Sequence, residues 1–224
     1  MLPIGDNQVS RYRPIITYTL ILLNALIYLW DRQFHVLANG FVFGDLAMRP
    51  NEVVSAVFGG GDRFALVTIF TSLFLHGNLL HLVGNMLFLL TFGESVEDAM
   101  GPWRFALYYF FWGIVASVAH VLVDPSSSTP TLGASGAIGG VLGCYFLLFP
   151  ANKIEILLYF TTFTLEAWKL LGLWFLWQIF IPSEGVANWA HAGGFLAGML
   201  TVLIIGGRDR ILAGREREFL DDFD

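Results

Sequence analysis

Long apolar runs separated by short polar segments dominate this sequence. Five runs contain no Asp, Glu, Lys or Arg, and they cover residues 14–30, 64–93, 105–123, 125–152 and 185–207. A sixth run, residues 156–181, is interrupted only by Glu166 and Lys169. Because a helix needs about 20 largely apolar residues to cross a bilayer, this pattern predicts an all-α, multi-pass membrane protein with six spans.

The segments between the runs are predicted to lie at or outside the membrane surface. The first part of the sixth run is expected to be an interfacial re-entrant segment, followed by a short helix over residues 167–181. The first external loop, residues 31 to about 63, mixes aromatic residues with glycine and scattered charges, which favours a structure in the headgroup layer. Residues 1–13 and 208–224 are predicted to be cytoplasmic tails, the second one charged, flanking a membrane domain over residues 14–207.

Basic residues are distributed unevenly between the two sides that this topology defines. The side that includes both termini holds Arg11, Arg13, Arg104, Lys153, Arg208, Arg210, Arg215 and Arg217. The opposite side holds only Arg32, Arg49 and Arg63. Because cytoplasmic loops are enriched in Lys and Arg, both termini are predicted to be cytoplasmic. The expected location of the chain is the inner membrane of a bacterial cell. No small-residue cleavage site follows the first run, which is therefore expected to be an uncleaved anchor.

Composition agrees that lipid is the main solvent of this chain. Hydrophobic residues make up 56% of the 224 residues and charged residues 13%, the latter about half the share usual in soluble domains. This balance excludes a soluble enzyme, a nucleic-acid binder and a disordered regulator. The single Cys144 cannot form an internal disulfide, and no carboxylate or cysteine accompanies the histidines at metal-ligand spacing. The residues therefore predict no metal site.

Several strongly polar side chains fall inside the predicted spans, where they are functional candidates by default. They are His76, Asn78, His81 and Asn85 in the second span, His120 in the third, Ser135 at the start of the fourth and His191 at the start of the sixth. Spans two, four and six all run inward from the outer surface, so Ser135 and His191 are predicted to lie at similar depth. His81 and Asn85 are four residues apart and share one helix face.

Small residues predict that the fourth and sixth spans touch. One stripe consists of Ser135, Gly139 and Gly143, and the other of His191, Gly194 and Gly198. Such stripes let helix backbones approach closely in a membrane, which would bring the Ser135 hydroxyl within reach of the His191 imidazole, as a nucleophile and its base. The positive helix ends favour a neutral His191 and negative charge near Ser135. First-turn N–H groups, His81 and Asn85 are candidates to stabilise an oxyanion.

A structural interpretation of the same residues stays open at this point. A serine in a membrane helix usually bonds back to a carbonyl one turn earlier, and glycine stripes most often serve packing alone. His76 lies five residues from His81, and therefore on another face, and both it and His120 are interpreted as structural. The agreement of depth, helix ends and stripe spacing favours the catalytic interpretation for Ser135 and His191.

Three motifs resemble those of the rhomboid intramembrane serine proteases. Residues 133–136, Gly-Ala-Ser-Gly, resemble the GxSG nucleophile motif, and residues 191–198, which begin at His191, resemble the last-helix motif with the catalytic histidine. The spacing of His76, His81 and Asn85 resembles that of the second-helix motif. The resemblance covers residues 14–207, nearly the whole chain, and the order of the motifs makes it specific.

This resemblance implies a six-helix core in which Ser135 is the nucleophile and His191 the base, without a catalytic aspartate, a metal or another cofactor. It also implies that His81 and Asn85 line the oxyanion pocket and that a water-filled cavity opens to the outside. Membrane-anchored proteins are the implied substrates, cut near a helix-destabilised segment. Cleavage near such a segment is physically reasonable, because the carbonyl of a peptide bond within a helix is already hydrogen-bonded and hidden from attack.

The fifth span carries the remaining candidates. Trp177, Phe180 and Ile181 in its upper part are candidates for a hydrophobic gate. The spacing of Trp174 and Gln178 resembles the fifth helix of many bacterial members. Many members also have an aromatic residue four positions after the nucleophile that packs on the histidine ring, but this chain has Gly139 there, and the sequence suggests no replacement.

The resulting hypothesis is an intramembrane serine endopeptidase that acts on membrane-anchored proteins within the lipid bilayer. One alternative is a catalytically inactive rhomboid-like protein that binds membrane-protein clients, although such proteins typically lack the Ser or the His present here. A second is a small transporter, which would usually show paired broken helices or repeat halves. Neither of these features is visible in the sequence.

Overall fold

The fold was obtained as a computed structural model, which describes residues 2–8, 10–37, 42–181 and 185–221, with side chains described up to residue 215. The helices are α1 (Ile15–Asp31), α2 (Pro50–Val54), α3 (Phe64–Thr71), α4 (Leu79–Met100), α5 (Pro102–Val123), α6 (Ser135–Leu148), α7 (Ala167–Phe180), α8 (Asn188–Ile204) and α9 (Gly207–Asp221). The strands are β1 (Leu2–Asp6), β2 (Lys153–Leu158) and β3 (Thr161–Glu166). The chain is therefore mostly helical.

Within the described residues, two helices, α4 and α5, are long and apolar enough on their own to cross a membrane. A third span results if α8 and α9 are counted together, although they are bent by 72° relative to each other. Helices α1 and α6 are apolar but shorter. These helices and the composition indicate an integral membrane protein, and the count of six spans stays a prediction.

The second apolar run, residues 64–93, is not one helix. It forms α3, a short 3₁₀ turn (Ser72–Phe74) and then α4. Asn78 makes the break favourable, because its side-chain oxygen accepts the backbone N–H of His81 at 2.8 Å and so caps the start of α4. Helix α4 therefore begins close to His81 and Asn85, which lie in its first two turns.

A small antiparallel sheet corrects the all-helical prediction. Strands β2 and β3 form a hairpin where an interfacial re-entrant segment was expected, and β1, from the predicted N-terminal tail, pairs with β2. The alternation of buried Ile154 and Ile156 with exposed Lys153 and Glu155 is the period-two pattern of a half-buried strand. The apolar and β-branched composition that resembled a membrane segment is also the composition of strands.

Helix α6 lies at the centre of the core. Its residues 136–145 are all buried, and it packs most extensively against α8, then against α5 and α4. The centre of the α6–α8 contact is formed by the two predicted glycine stripes: a Cβ on Gly143 would overlap the Phe195 carbonyl, and one on Gly198 the Gly140 carbonyl. The predicted contact between these helices is therefore present, and Cys144 is buried within it.

Polar contacts tie the N-terminal segment to α4. Both carboxylate oxygens of Glu97 are used at the start of α1, where they accept the backbone N–H groups of Ile16 at 2.9 Å and Thr17 at 2.7 Å. The Thr17 hydroxyl donates to the same carboxylate at 2.8 Å. Such a cap satisfies first-turn donors that have no partner within their own helix, so Glu97 fixes α1 against α4.

The two predicted tails also pack against the bundle. Besides β1 in the first tail, α9 occupies most of the second, where the Arg208 guanidinium donates to the Leu148 carbonyl at 2.8 Å and Ile211 and Leu212 contact the core. The acidic side chains beyond residue 215 lie outside the described residues. Met48, in the predicted first external loop, pairs with Thr131 of the predicted third loop, which joins the two loops.

Candidate active site

Ser135 and His191 lie together at the α6–α8 contact. Ser135 is the first residue of α6, His191 is in the first turn of α8, and the distance from Ser135 Oγ to His191 Nε2 is 2.8 Å. Glycines permit this approach: a Cβ on Gly139 would come within 2.8 Å of the His191 carbonyl oxygen, and one on Gly194 would overlap the Gly136 carbonyl. Gly139 therefore stands where it does because the backbone of α8 occupies that space.

Two residues of α7 contact the His191 ring away from Ser135. His191 Nδ1 lies 2.9 Å from Gln178 Oε1, and the Trp174 ring lies over the imidazole with centroids 5.9 Å apart. When Nδ1–H donates to the Gln178 oxygen, Nε2 is left without a proton and accepts the Ser135 hydroxyl. Gln178 and Trp174 therefore contact the His191 ring, a contact for which the sequence suggested no residue.

Gln178 is recognisable in the sequence as a polar residue within an apolar helix. It is the one amide side chain in the run of residues 167–181, and it is buried. A buried amide in an apolar helix needs a hydrogen-bond partner, so it belonged with the polar candidates at membrane depth. Its partner could not be identified from the sequence, because α7 and α8 are joined by a loop whose course sets their relative rotation.

His81 and Asn85 lie beside Gly133, two residues before Ser135. A Cβ on Gly133 would lie 2.8 Å from both His81 Nε2 and His81 Cε1, and 3.6 Å from Asn85 Nδ2. Gly133 has φ +123°, a conformation that favours glycine, and its N–H donates to the Ser72 carbonyl at 2.9 Å. Only a glycine therefore lets the turn before Ser135 pass this close to both side chains.

Asn85 has an unused donor. Its Nδ2 is buried and has no acceptor among the described residues. Leaving such a group unpaired costs about 1–3 kcal/mol, which an acceptor entering from outside would recover. The first-turn N–H groups of α6, which begins at Ser135, have no intrahelical acceptor. Asn85 and Ser135 line the same cavity, so a side-chain donor and the start of a helix both border it.

A cavity of about 760 Å³ is lined by Ser135, His191, His81 and Asn85. Its wall also includes His120, which the sequence analysis treated as structural, and Trp174 of α7. His76 is buried behind His81, with ring centroids 5.1 Å apart. Among the residues described, no three His, Cys, Asp or Glu side chains are grouped as metal ligands would be.

The three predicted gate residues are not among the residues that line the cavity. Trp177 and Phe180 lie at the end of α7 and Ile181 follows it directly, with 53%, 72% and 44% of their surface exposed. Part of the loop that follows, residues 182–184, lies outside the described residues. The gate therefore stays a prediction.

A family model for the rhomboid domain matches residues 63–208, well over half of the chain. The chain belongs to the rhomboid family. Among its relatives, "RHOMBOID-like protein 5" of Arabidopsis thaliana is 31% identical over 150 residues, which are 65% of this chain and 45% of that protein. "Rhomboid-like protease 3" of Toxoplasma gondii is 30% identical over 164 residues, 68% of this chain and 59% of that protein.

A third rhomboid relative, "Rhomboid protease GluP" of Bacillus subtilis, is 27% identical over 194 residues, which are 87% of this chain and 35% of that protein. This rhomboid chain thus spans about half or less of the length of most curated relatives that it matches. Two of the three are named as proteases, which agrees with a proteolytic site at family level. The matched region includes Ser135, His191, His81 and Asn85.

Proposed function

We propose that this rhomboid is an intramembrane serine endopeptidase with Ser135 and His191 as a catalytic dyad. The observation that carries the proposal is the 2.8 Å contact between Ser135 Oγ and His191 Nε2 inside a cavity that also holds the unpaired Asn85 amide. A serine that served packing alone would bond back within its own helix. Ser135 begins its helix and is directed to an imidazole whose far nitrogen is already engaged by Gln178.

The geometry supports a two-step acyl transfer. His191 Nε2 takes the hydroxyl proton as Ser135 Oγ attacks the substrate carbonyl carbon, and the carbonyl oxygen becomes an oxyanion near His81, Asn85 and the Ser135 N–H. The imidazolium then gives its proton to the leaving amine nitrogen, so the C–N bond breaks and an acyl-enzyme remains. Water from the cavity, activated by His191, hydrolyses that ester and restores the free hydroxyl.

The proposed topology has six spans, α1, α4, α5, α6, α7 and α8, in a membrane domain over residues 14–207. Both termini would be cytoplasmic, and the dyad would then lie beneath the outer leaflet, where α4, α6 and α8 would begin. A bacterial inner membrane is part of the same proposal. Substrates would be membrane-anchored proteins with a helix-breaking segment, since Gly or Pro lowers the cost of extending a helix for cleavage. Entry would be past Trp177, Phe180 and Ile181.

A fluorophosphonate probe tests the proposal directly. The purified chain in detergent is expected to become covalently labelled at one site, and peptide mapping by mass spectrometry should place the adduct on Ser135. Absence of labelling, in protein that also fails to cleave a membrane-anchored reporter, would favour an inactive client-binding relative or a transporter. An adduct on another residue would contradict the assignment of the nucleophile.

Replacing Gln178 with leucine is expected to lower kcat about tenfold with little change in KM. The general base would remain, but its ring would lose the acceptor that fixes the tautomer and orientation, so the loss should be smaller than the roughly 10²–10⁴-fold contribution of a general base. Steady-state cleavage of a reporter measures both constants. Leu173→Ala, on an exposed position of the same helix, is the control, and an equal loss in both variants would contradict the orienting role.

A further inference from the structure

A buried arginine lies next to the N-terminus of α4. Arg32 follows the last residue of α1 and is only 2% exposed. Its Nη2 donates to two successive backbone carbonyls, His76 O at 2.6 Å and Gly77 O at 2.8 Å. One guanidinium nitrogen thus binds both peptide units that precede the N-cap of α4, across more than 40 positions of sequence.

Burying a guanidinium is costly unless its charge is compensated. Arg32 Nη1 lies 3.8 Å from an Asp31 carboxylate oxygen, and the guanidinium carbon lies 5.2 Å from the centre of the Tyr28 ring. The other Asp31 oxygen accepts the Phe43 N–H at 2.8 Å. Two neighbouring residues at the end of α1 therefore hold other segments in place. Asp31 binds the loop that contains Phe43, and Arg32 binds the residues that precede α4.

The first of the two bound peptide units, which joins the His76 carbonyl to the Gly77 N–H, reaches the His81 ring. The Gly77 N–H donates to His81 Nδ1 at 3.4 Å, and the neighbouring Asn78 side chain caps the His81 backbone. A neutral imidazole whose Nδ1 accepts a hydrogen bond carries its proton on Nε2. Nε2 is the atom that lies against Gly133, two residues before Ser135. The Gly77 N–H therefore selects the tautomer that can donate to an oxyanion.

We propose that Arg32 is a positioning residue for His81. It does not touch the substrate, but it holds the peptide at residues 76–77 so that the Gly77 N–H stays directed at Nδ1 and His81 keeps its proton on Nε2. Without this anchor, His81 would also adopt the other tautomer, whose Nε2 lone pair would repel an oxyanion. This inference rests on the proposed protease function, because it gives His81 a role only if an oxyanion forms at Ser135.

A double-mutant cycle with Arg32→Met and His81→Ala tests the inference. The readouts are kcat on a membrane-anchored reporter, KM, the rate constant for fluorophosphonate labelling of Ser135, and the midpoint of thermal unfolding. Arg32→Met is expected to lower kcat and the labelling rate about tenfold, within the roughly 10²-fold loss that an ångström-scale misplacement can cause, with KM little changed. In the His81→Ala background the same substitution should change neither rate by more than about twofold.

Non-additivity of the rates separates positioning from a structural role. If Arg32 merely held the fold together, its replacement would lower the midpoint of thermal unfolding. It would also lower both rates by the same factor in the parent protein and in the His81→Ala protein, and that result would overturn the inference. In an Asn85→Ala background, the tenfold loss should persist, because Asn85 is not held through Gly77. Arg49→Met is the matched control, since Arg49 lies in the same loop, pairs with Glu52 at 3.9 Å and is partly exposed.

Arg32→Lys covers the case in which Arg32→Met does not fold. The ammonium keeps the charge and has donors for both carbonyls, but it lacks the second guanidinium nitrogen, which in Arg32 lies 3.8 Å from the Asp31 carboxylate. An intermediate loss that disappears with His81→Ala is therefore expected. An equal loss in both backgrounds would again contradict the inference. Failure of the proposed function is distinguishable, because the parent protein would then show neither labelling nor cleavage.

Discussion

Replacing Ser135 with alanine is expected to abolish both fluorophosphonate labelling and cleavage. The rate should fall by a factor on the order of 10⁶, as when a serine protease loses its nucleophile, because no other hydroxyl occupies the position 2.8 Å from His191 Nε2. The fold should persist, since the change removes one hydrogen bond worth about 1 kcal/mol. Labelling of purified protein, reporter cleavage and thermal unfolding measure the three expectations.

Ser128→Ala is the matched control for this variant. Ser128 is an exposed serine in the loop that leads to Ser135, so it tests whether any nearby hydroxyl reacts. Its replacement should leave labelling and cleavage at the parental level. Persistent labelling of the Ser135→Ala protein would remove Ser135 as the nucleophile, and persistent cleavage would remove the dyad as the catalytic centre.

Much of the site could be anticipated because a membrane restricts the possibilities. Polar side chains are costly in lipid, so Ser135, His191, His81 and Asn85 were conspicuous in the sequence. Their spacing within helices and the direction of each span then predicted which of them share a face and a depth. The contact between α6 and α8 followed from the glycine stripes, since small residues that recur along one helix face serve close packing.

The residues that the sequence did not reveal act through tertiary contacts. Gln178 contacts His191 only because α7 packs against the start of α8. Arg32 binds the Gly77 carbonyl only because α1 ends beside the start of α4. No periodic pattern encodes either contact. An arginine after an apolar run is ordinary as a topology marker, so its burial could not be inferred from position alone.

The sheet was missed for a different reason. Residues 156–165 are apolar and rich in β-branched or aromatic side chains, and such a run fits a strand as well as a membrane segment. The pairing that decides between them is partly the β2–β3 hairpin and partly the contact with β1, which lies about 150 residues earlier in the chain. The hydrophobicity of a segment depends on that segment alone, whereas a strand needs a partner strand to satisfy its backbone N–H and C=O groups.

The packing of α6 against α8 gives the second large expected effect. Gly194→Ala should lower kcat about 10²-fold and destabilise the protein by about 1–3 kcal/mol. The added methyl would overlap the Gly136 carbonyl and lie 3.3 Å from the Gly140 backbone nitrogen. Since overpacking is relieved by backbone shifts, α8 should move away from α6. His191 is less than one turn from Gly194, so the contact with Ser135 should lengthen by about an ångström, enough for such a loss.

The sign of the stability change makes this prediction decisive. Without a steric conflict, Gly→Ala within a helix is favourable by about 1 kcal/mol, so Gly172→Ala in α7 is the control. A methyl there would meet only Phe146, at an ordinary 3.7 Å, and should leave cleavage unchanged while stability stays equal or rises. If Gly194→Ala instead matched Gly172→Ala in reporter cleavage and thermal unfolding, close contact of the two helices would not be what holds Ser135 against His191.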